Sequence, residues 1–464
     1  MKQTAAALRH SLQRWQDAAT AAPRLAASAL GRGILPAGLS AAATLRKEGR
    51  SELHWKVLGD ALVRFLRHSG PLFTKLGQLL ATRSDLLPET VCARLEALYA
   101  GQPPMPDAAL QRILKKAYPR RRPFRKLDPH PIGVGSIGQV HRGRLRNGKR
   151  VIVKIVRPGV ARAVRRDINA ARVLTELFFR VFARGDRSTR ALIAKTLEGL
   201  GRELEAEVDL ENEAAALEEF GRRFARNPRV CVPVCYRKWS SREILVLEEL
   251  TGEPLAAIRR RGSAEPERAK AAADLALREI LSQIFEEGRF HADPHGGNLL
   301  ILDDGRLGLI DLGLTGELSV QDRRRITRAA RAFLARDSDA SIRALLEFGS
   351  VPDHFDLEAF KAEIRALFRA HTGDLSSRAT GRAARDAGVF GLEEFVNALF
   401  RVTHRHEIHV PHATTLLIKT LVTIEGVARS LDPDINMMVA ALPIILRSLT
   451  PKWLRWRPWR RPAA

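Results

Sequence analysis

One segment limits the possible folds of this chain more than any other, and it lies two thirds of the way along the sequence. Residues 291–298 read His-Ala-Asp-Pro-His-Gly-Gly-Asn, and Asp311-Leu-Gly313 follows after an apolar run at 307–310. A carboxylate such as Asp293 can accept or orient a proton. The Asn298 amide and the Asp311 carboxylate offer the hard oxygen ligands that Mg²⁺ prefers. The spacing predicts a phosphate-handling site in which Asn298 and Asp311 hold the metal.

A glycine-rich stretch earlier in the chain predicts the phosphate-binding part of the same site. Residues 133–140 read Gly-Val-Gly-Ser-Ile-Gly-Gln-Val and fit the pattern G-x-G-x-x-G-x-V. Glycines let the backbone approach phosphates closely and point N–H groups at them. A strand rather than a helix is expected next, which disfavours a dinucleotide-binding fingerprint. The candidate nucleotide-binding residues here are Ile132, Gly133, Val134, Gly135, Ser136, Gly138 and Val140.

A β-hairpin is predicted directly after this loop, because Asn147-Gly148 is the strongest short hairpin signal. Its strands are expected near Gly138–Leu145 and Val151–Val156. Lys154 ends the apolar part of the second strand and could pair with nucleotide phosphates if a glutamate on a following helix orients it. The alternative interpretation is a surface lysine on an edge strand.

The rest of the chain predicts which elements surround these motifs. A long helical tract is expected at about 161–222, and it carries Glu207 and Glu213. Strands are expected again within 229–250, at Val230, Val232 and Val234 and at 244–247, and mostly helices from 265 onward. The three motifs in this order predict an α+β, bilobal, protein-kinase-like fold, with a ligand in the cleft between a small lobe and a helical large lobe.

At this point the sequence resembles the UbiB family of atypical kinase-like ATPases, which support ubiquinone biosynthesis. Lys75-Leu-Gly-Gln78 is similar to the family's K-x-G-Q signature helix, and Glu207-Val-Asp209 with Glu213-Ala214 to its E-x-D and EA segment. Residues 291–298 resemble its H-x-D-P-H-P-G-N loop. Residues 424–427 and 431–434 resemble its late helical segment. The resemblance runs from about 55 to 445.

The resemblance implies specific roles for these residues. Lys154 would form an ion pair with Glu213. Lys75 and Gln78 would lie on an N-terminal helical lid over the nucleotide and meet Glu207 and Asp209. The lid would occupy the groove in which a protein kinase binds its peptide. The implied catalytic residues are Asp293, Lys154, Glu213, Lys75, Gln78, Glu207 and Asp209, with ATP and Mg²⁺ as cofactors.

The function that the resemblance implies is a Mg-ATP-dependent atypical kinase or ATPase that supports ubiquinone synthesis at a membrane surface. Two alternatives stay open: a phosphotransferase acting on a small molecule or on itself, and a nucleotide-binding pseudokinase scaffold. The presence of Lys154, Asp293, Asn298 and Asp311 argues against the scaffold. The expected partners are nucleotide, an anionic membrane surface, a lipid or quinone precursor, and quinone-biosynthesis enzymes.

Two departures from the family pattern concern backbone freedom. The family's nucleotide loop is typically rich in alanine, whereas this chain has Gly133-Val134-Gly135. Removing those Cβ atoms predicts an altered ATP/ADP preference and more phosphoryl transfer. Gly296 replaces the proline of the family's catalytic loop, which predicts a modest loss of rigidity.

Composition suggests where the protein acts. The 77 Lys and Arg against 52 Asp and Glu give a net charge of +25. Basic residues are dispersed and no nucleic-acid-binding motif occurs, so no specific nucleic-acid partner is expected. Trp and Arg alternate in residues 451–461, a pattern that suits a lipid headgroup interface. The three cysteines, an odd and sparse set, indicate a reducing compartment.

The predicted localisation is therefore cytoplasmic and peripheral on a bacterial inner membrane. The basic, alanine-rich start also resembles a transit peptide, which keeps a mitochondrial location as the lesser alternative. The predicted organisation is 1–55, a basic leader, poorly ordered or an amphipathic helix; 56–126, the K-x-G-Q extension; 127–250, the small lobe with inserted helices; 251–446, the helical large lobe; and 447–464, the Trp/Arg tail.

Overall fold

The computed structural model divides the chain into two compact units. Unit 1 comprises residues 1–215 and 234–249, and unit 2 comprises residues 216–233 and 250–464. The structure describes the following residues: 52–81, 88–98, 103–181, 187–261, 264–335, 337–348, 351–352, 354–371, 392–406, 408 and 412–449. The expected leader, up to residue 51, and the Trp/Arg tail from residue 450 lie outside the described residues.

The described part of unit 1 starts with helices and continues into a sheet. Its helices are α1 (Glu52–Ser69), α2 (Pro71–Ala81), α3 (Glu89–Leu95), α4 (Asp107–Ala117), α5 (Val160–Val181), α6 (Arg187–Val208) and the start of α7 (Leu210–Phe224). Its strands are β1 (Phe124–Leu127), β2 (Gly133–Val134), β3 (Gly138–Leu145), β4 (Arg150–Val156) and β6 (Ile244–Glu248). These strands form one antiparallel sheet in the order β1-β3-β4-β6, with β2 also paired to β3.

The hairpin predicted around Asn147-Gly148 is confirmed. β3 and β4 pair over seven residues, and Gly148 closes the turn with φ of +88°, a conformation that favours glycine. Burial alternates along β4, with Val151, Val153 and Ile155 fully buried. These side chains, with Leu110 and Leu114 of α4, form the core under the sheet. The period of two turns Lys154 to the opposite face of the strand.

Unit 2 combines short strands with a helical body. Its strands are β5 (Val230–Cys231), β7 (Gly252–Pro254), β8 (Arg289–His291), β9 (Leu299–Leu302), β10 (Leu307–Leu309) and β11 (Thr315–Glu317). They form the sheet β5-β10-β9-β7 and the pair β11-β8. Its helices after α7 are α8 (Leu255–Arg261), α9 (Pro266–Ser282), α10 (Val320–Leu334), α11 (Ser338–Phe348), α12 (Leu357–His371), α13 (Leu392–Arg405), α14 (His412–Leu431) and α15 (Met437–Leu449).

The core of unit 2 forms where these helices bury their apolar faces. Helix α9 is buried along most of its length, and a π-helical turn, Gln283–Glu287, continues it to β8. Phe360, Ile364 and Phe395 centre a second cluster among α11, α12 and α13. None of the helices in the described part of the chain is long and apolar enough to span a lipid bilayer.

Two sequence predictions about these elements differ from the structure. The tract at 161–222 is divided among α5, α6 and α7, and residues 182–186 within it lie outside the described part. Val230 lies in a strand, whereas Val232 and Val234 do not. Pro233 separates those two valines and has no N–H for a strand ladder, so the alternating valines cannot continue β5.

Candidate nucleotide-binding and catalytic site

The glycine-rich loop is a tight turn between β2 and β3. The Gly135 N–H donates to the Gly138 carbonyl at 2.8 Å, and Ile132 N–H to the Val140 carbonyl at 2.8 Å. Arg157 steadies the turn from outside, because its Nε donates to the Gly135 carbonyl at 3.2 Å. This strand–turn–strand geometry matches the sequence prediction for the loop.

The three glycines of the loop differ in whether the surrounding structure leaves room for a side chain at their position. A Cβ at Gly138 would lie 2.6 Å from the Ile155 carbonyl oxygen, so only glycine fits there. A Cβ at Gly133 or Gly135 would meet its nearest atoms at 3.9 and 3.6 Å, ordinary contact distances. The backbone of this chain therefore has room for a Cβ at Gly133 and Gly135.

Lys154 and Glu213 form an ion pair inside unit 1. The Nζ of Lys154 on β4 donates to Oε1 of Glu213 on α7, and the side chains are only 15% and 7% exposed. Lys154 lies beside Val140 of β3 in the sheet register. Burying a carboxylate is costly unless it is paired, so Lys154 satisfies Glu213 and is in turn held in one orientation.

Lys75 of the K-x-G-Q helix, α2, forms an ion pair with another helix of unit 1. Its Nζ lies 2.5 Å from Oε1 of Glu207, near the end of α6. Gln78 donates from Nε2 to the Leu98 carbonyl at 3.1 Å. Gly77 also has a packing role, because a Cβ there would lie 2.2 Å from a methyl carbon of Leu98.

Asp209 lies between α6 and α7 and contributes to the start of α7. Its Oδ1 accepts the Glu211 N–H at 3.1 Å, which satisfies one free donor of the first helical turn. Its Oδ2 lies 3.3 Å from Nε of Arg242. The structure thus joins Lys75 to Glu207 and places Asp209, two residues later, at the junction of two helices.

In unit 2, the loop between β8 and β9 holds Asp293 and Asn298 close together. The Asp293 carbonyl accepts the His295 N–H at 2.8 Å and the Asn298 side-chain amide at 3.2 Å. The Ile310 N–H donates to the Asn298 carbonyl at 3.1 Å, which ties this loop to the residue before Asp311. Asp293 and Asn298 are therefore linked directly, and Asp311 follows the residue that bonds to Asn298.

His291 supports this loop from the interior. It is 1% exposed, and burial lowers its pKa from 6.5 to about 4, against the opposing influence of the Asp311 and Asp293 carboxylates. Its backbone N–H donates to Oε1 of the buried Gln283 at 3.0 Å. A neutral imidazole in this position packs beneath the acidic groups without adding a charge at neutral pH.

The donor set of the segment fits a magnesium ion. The Nδ2 of Asn298 is bonded to the Asp293 carbonyl, so the amide oxygen points elsewhere, and Oδ1 of Asp311 accepts the Gly313 N–H at 3.0 Å. Among the described residues there is no cluster of three or more His, Cys, Asp or Glu that could hold a metal. Mg²⁺ characteristically uses one or two carboxylates together with phosphates and water.

Gly296 allows close packing within unit 2. Its carbonyl accepts the Ala256 N–H at 2.8 Å, and a Cβ at this position would lie 3.0 Å from that nitrogen. The glycine in place of the family's proline therefore coincides with a close approach of the loop to α8.

Sequence reasoning missed several residues that position the predicted ones. Thr420 of α14 is fully buried, and its hydroxyl donates to the Ala292 carbonyl at 3.2 Å, beside Asp293. Gln283 holds the His291 backbone, and Arg157 holds the glycine-rich loop. A polar residue among the apolar residues of a helix, such as Thr420 in the Leu- and Ile-rich α14, was the signal in the sequence that could have identified them.

An antiparallel small sheet with a glycine-rich turn and a Lys–Glu pair, and a helical unit with an Asp/Asn/Asp segment, define a kinase-like protein of α+β class. The family model for the ABC1 atypical kinase-like domain matches residues 98–345, and the model for the UbiB helical domain matches residues 388–436. The chain belongs to the UbiB group of ABC1 atypical kinase-like proteins, as its sequence motifs predict.

Individual relatives agree with this assignment. The chain is 30% identical over 406 residues to a probable protein kinase UbiB of Azotobacter vinelandii, covering 84% of this chain and 70% of the relative. It is 29% identical over 412 residues to the protein of the same name in Marinobacter nauticus, covering 86% and 70%. A similar solved structure is Rv3197 of Mycobacterium tuberculosis in complex with erythromycin, at TM-score 0.54 and 21% identity, covering 78% of this chain and 91% of that one.

Proposed function

We propose that this protein is a Mg-ATP-dependent atypical kinase or ATPase that supports ubiquinone biosynthesis at a membrane surface. Membership in the UbiB group supports the link to ubiquinone. The observation that carries the ATP-dependent part is the buried pair between Lys154 and Glu213. An ion pair between a lysine on a central strand and a glutamate on a helix, in a sheet that also carries a glycine-rich turn, is the arrangement that orients nucleotide phosphates in kinases.

The residues divide into roles that follow from their chemistry. The backbone of residues 132–140 and the Lys154 ammonium would bind the phosphates. Asn298 and Asp311 would hold Mg²⁺, which when bound neutralises phosphate charge. Asp293 would accept or orient the proton of the attacking hydroxyl or water. Each assignment rests on the charged and hydrogen-bonding groups that the named residues offer within their own unit.

The Lys75–Glu207 contact supports a lid role for the K-x-G-Q extension. This pair is 27% and 34% exposed, so it is a polar link between α2 and α6 rather than part of an apolar core. We assign Lys75 and Gln78 to nucleotide-dependent control of this extension, with Glu207 and Asp209 as their acidic counterparts.

Steady-state kinetics of Mg-ATP turnover test the proposal directly. Replacing Lys154 with Met removes the ammonium and should weaken Mg-ATP turnover (kcat/KM) about tenfold or more. Lys116→Met is the matched control, because Lys116 also pairs with a glutamate, Glu243, but is 73% exposed. Equal losses in both variants, or no loss in Lys154→Met, would overturn the role of Lys154.

A phosphotransferase acting on a small molecule or on itself is the second candidate, and the loop glycines favour it. Gly133 and Gly135 leave the turn without Cβ atoms where the family's loop is rich in alanine, so phosphates can approach more closely. Radiolabelled ATP separates the two candidates. Stoichiometric label on an acceptor or on the chain supports transfer, whereas release of free phosphate alone supports an ATPase.

Action at a membrane surface is supported by charge and by one exposed helix face. Val439, Leu442 and Leu446 lie at helical spacing on α15 and are 66%, 45% and 53% exposed. Residues 451–461, which alternate Trp with Arg, follow this helix in sequence. An apolar stripe that is followed in the sequence by cationic and aromatic residues suits the anionic face of a bilayer, on the cytoplasmic side of a bacterial inner membrane.

Co-sedimentation with liposomes tests the membrane proposal. The protein should bind vesicles containing anionic lipid, and binding should weaken with added salt and with Leu442→Ser plus Leu446→Ser. Val320→Ser is a control, because Val320 is also exposed, at 60%, but lies on α10. Binding that is equal for neutral and anionic vesicles, or unchanged in the double variant, would contradict this proposal.

A further inference from the structure

The helical body of unit 2 contains a cavity that the nucleotide chemistry does not use. Its volume is about 210 Å³, and side chains from α9 through α15 line it. Ile326 and Phe333 of α10, Phe395 of α13, Leu417 of α14 and Ile445 of α15 are among them. The cavity is partly open to its surroundings, so a ligand can enter it, and an apolar lining without an occupant forgoes dispersion contacts.

Three aromatic rings make one wall of this cavity. Phe333 and Phe395 have centroids 4.8 Å apart, and Phe368 lies 5.6 and 5.5 Å from them. Such mutually packed rings resist the collapse that would otherwise fill the space. The void is therefore a property of a packed aromatic cluster rather than of a single long side chain.

Two hydroxyl side chains interrupt the apolar lining, Thr414 of α14 and Ser341, and of these Ser341 is the buried one. Ser341 of α11 is 5% exposed, and its Oγ has no hydrogen-bond partner among the described residues. A buried helical serine ordinarily bonds the carbonyl four residues earlier. Here the Asp337 carbonyl accepts the Ser341 backbone N–H at 2.9 Å, and the hydroxyl remains without a partner. An orphan hydroxyl beside an apolar void lowers stability unless a ligand satisfies it.

The lining also limits the charge of an occupant. The described residues that line the cavity include no charged side chain. An ionised headgroup inside it would lose its hydration without compensation. A cavity of about 150 Å³ accommodates benzene, so this larger one accommodates about eight carbon atoms.

We propose that this cavity binds a neutral amphiphile, with a hydrocarbon chain of about eight carbons against the aromatic wall and one hydroxyl or carbonyl oxygen bonded to Ser341. The cavity lies wholly within unit 2, and the inference does not depend on the proposed nucleotide chemistry. The occupant is a separate small molecule rather than the backbone of another segment of this chain. A helix, about 10 Å in diameter, is too wide for this cavity, and an extended segment would leave its backbone polar groups without partners against the apolar lining.

Equilibrium dialysis of the full-length protein with radiolabelled 1-octanol, n-octane and octanoate tests this site. We expect one saturable octanol site per chain, with octanol bound about fivefold to tenfold more tightly than octane, the worth of one hydrogen bond. Octanoate should bind more weakly than octanol. Absence of saturable octanol binding, as would result if a segment of the chain filled the cavity, overturns the proposal.

Two variants locate the site. Ser341→Ala should keep octane binding, lose the preference for octanol, and leave the melting temperature equal or higher, because it removes an unsatisfied group. Ala330→Phe fills the cavity and should weaken both probes about tenfold or more. The control is Ser430→Ala, at an exposed serine on α14. Unchanged octanol preference in Ser341→Ala, or equal effects of Ser430→Ala, would contradict the assignment.

Discussion

At the scale of single residues, His291 shows how burial sets the protonation state beside the candidate catalytic loop. Its folded-state pKa of about 4 lies below the ordinary value of 6.5, because desolvation outweighs the nearby carboxylates. The unfolded chain therefore takes up a proton between about pH 6.5 and pH 4 that the folded protein does not. Stability is lost as pH falls through that window.

Replacing His291 with Gln should flatten this pH dependence. The wild-type free energy of unfolding should fall more steeply than that of the variant, by up to about 1.4 kcal/mol per pH unit between pH 4 and pH 6.5. Urea unfolding at several pH values in that window measures both slopes. His130→Gln, at an exposed histidine, is the control and should keep the wild-type slope. Identical slopes for wild type and His291→Gln would contradict a buried neutral His291.

The glycine-rich loop gives a second prediction at this scale. Gly138→Ala should lower the free energy of unfolding by about 1–3 kcal/mol, because its Cβ would overlap the Ile155 carbonyl. Gly133→Ala with Gly135→Ala should change stability by no more than about 0.5 kcal/mol.

The double variant can therefore report on function without unfolding the loop. We expect it to shift the ratio of ATP to ADP affinity and to reduce phosphoryl transfer. Calorimetric titration with each nucleotide measures the ratio. An unchanged ratio in a stable double variant would remove the proposed effect of these two glycines.

At the scale of elements, the K-x-G-Q extension packs through positions where a side chain does not fit. Gly70 joins α1 to α2 with φ of +126°, and a Cβ there would lie 2.1 Å from a carboxylate oxygen of the buried Asp167 on α5. Gly148 also has positive φ, at +88°, but nothing lies within 4 Å of its Cβ position.

Replacing each of these two glycines with alanine distinguishes the cost of a positive φ, which both positions have, from the cost of steric overlap, which only Gly70 has. Both variants should be less stable than wild type, and Gly70→Ala should cost about 1–3 kcal/mol more than Gly148→Ala. Chemical denaturation monitored by circular dichroism measures both. Equal costs would show that the junction of α1 and α2 does not pack against α5 as described.

Elements with local signals could be predicted from the sequence. The Asn147-Gly148 pair indicated the hairpin of β3 and β4, but its loop has three residues, Arg146–Gly148, with Gly148 in the left-handed conformation. The turn at Gly305 between β9 and β10 was equally accessible, since φ of +82° favours glycine there. By contrast, the break between α6 and α7 was missed, although Asp209 is a typical residue to begin a helix.

The candidate site could be predicted only in part, for a physical reason. Lys154, Asp293 and Asp311 could be predicted, because each has a charged side chain and lies in a short motif that is recognisable from neighbouring residues alone. The Lys154–Glu213 pair spans 59 residues. The motif predicted a glutamate on the following helical tract, which carries Glu207 and Glu213, and only the family resemblance selected Glu213. The contact of Thr420 with Ala292 spans 128 residues, and no local pattern encodes such a distance. Packing decides which buried hydroxyl meets which carbonyl.

At the scale of the whole molecule, the surplus of +25 exceeds what phosphate binding requires. Lys75 and Lys154 are each paired with a glutamate within unit 1. The remaining basic charge is dispersed and suits attraction to an anionic lipid surface better than recognition of a single ligand. In the proposed function, the membrane surface would concentrate the protein near a lipid or quinone precursor, and the motifs would carry the nucleotide chemistry.

The most direct test of the central claim is the quinone pool of a strain that lacks the gene, measured by mass spectrometry. The deletion should deplete ubiquinone, and wild type or Lys116→Ala should restore it. Asp311→Asn and Lys75→Ala should fail to restore it at equal protein levels. A normal ubiquinone pool in the deletion strain, or full rescue by Asp311→Asn, would contradict an ATP-dependent role in ubiquinone biosynthesis.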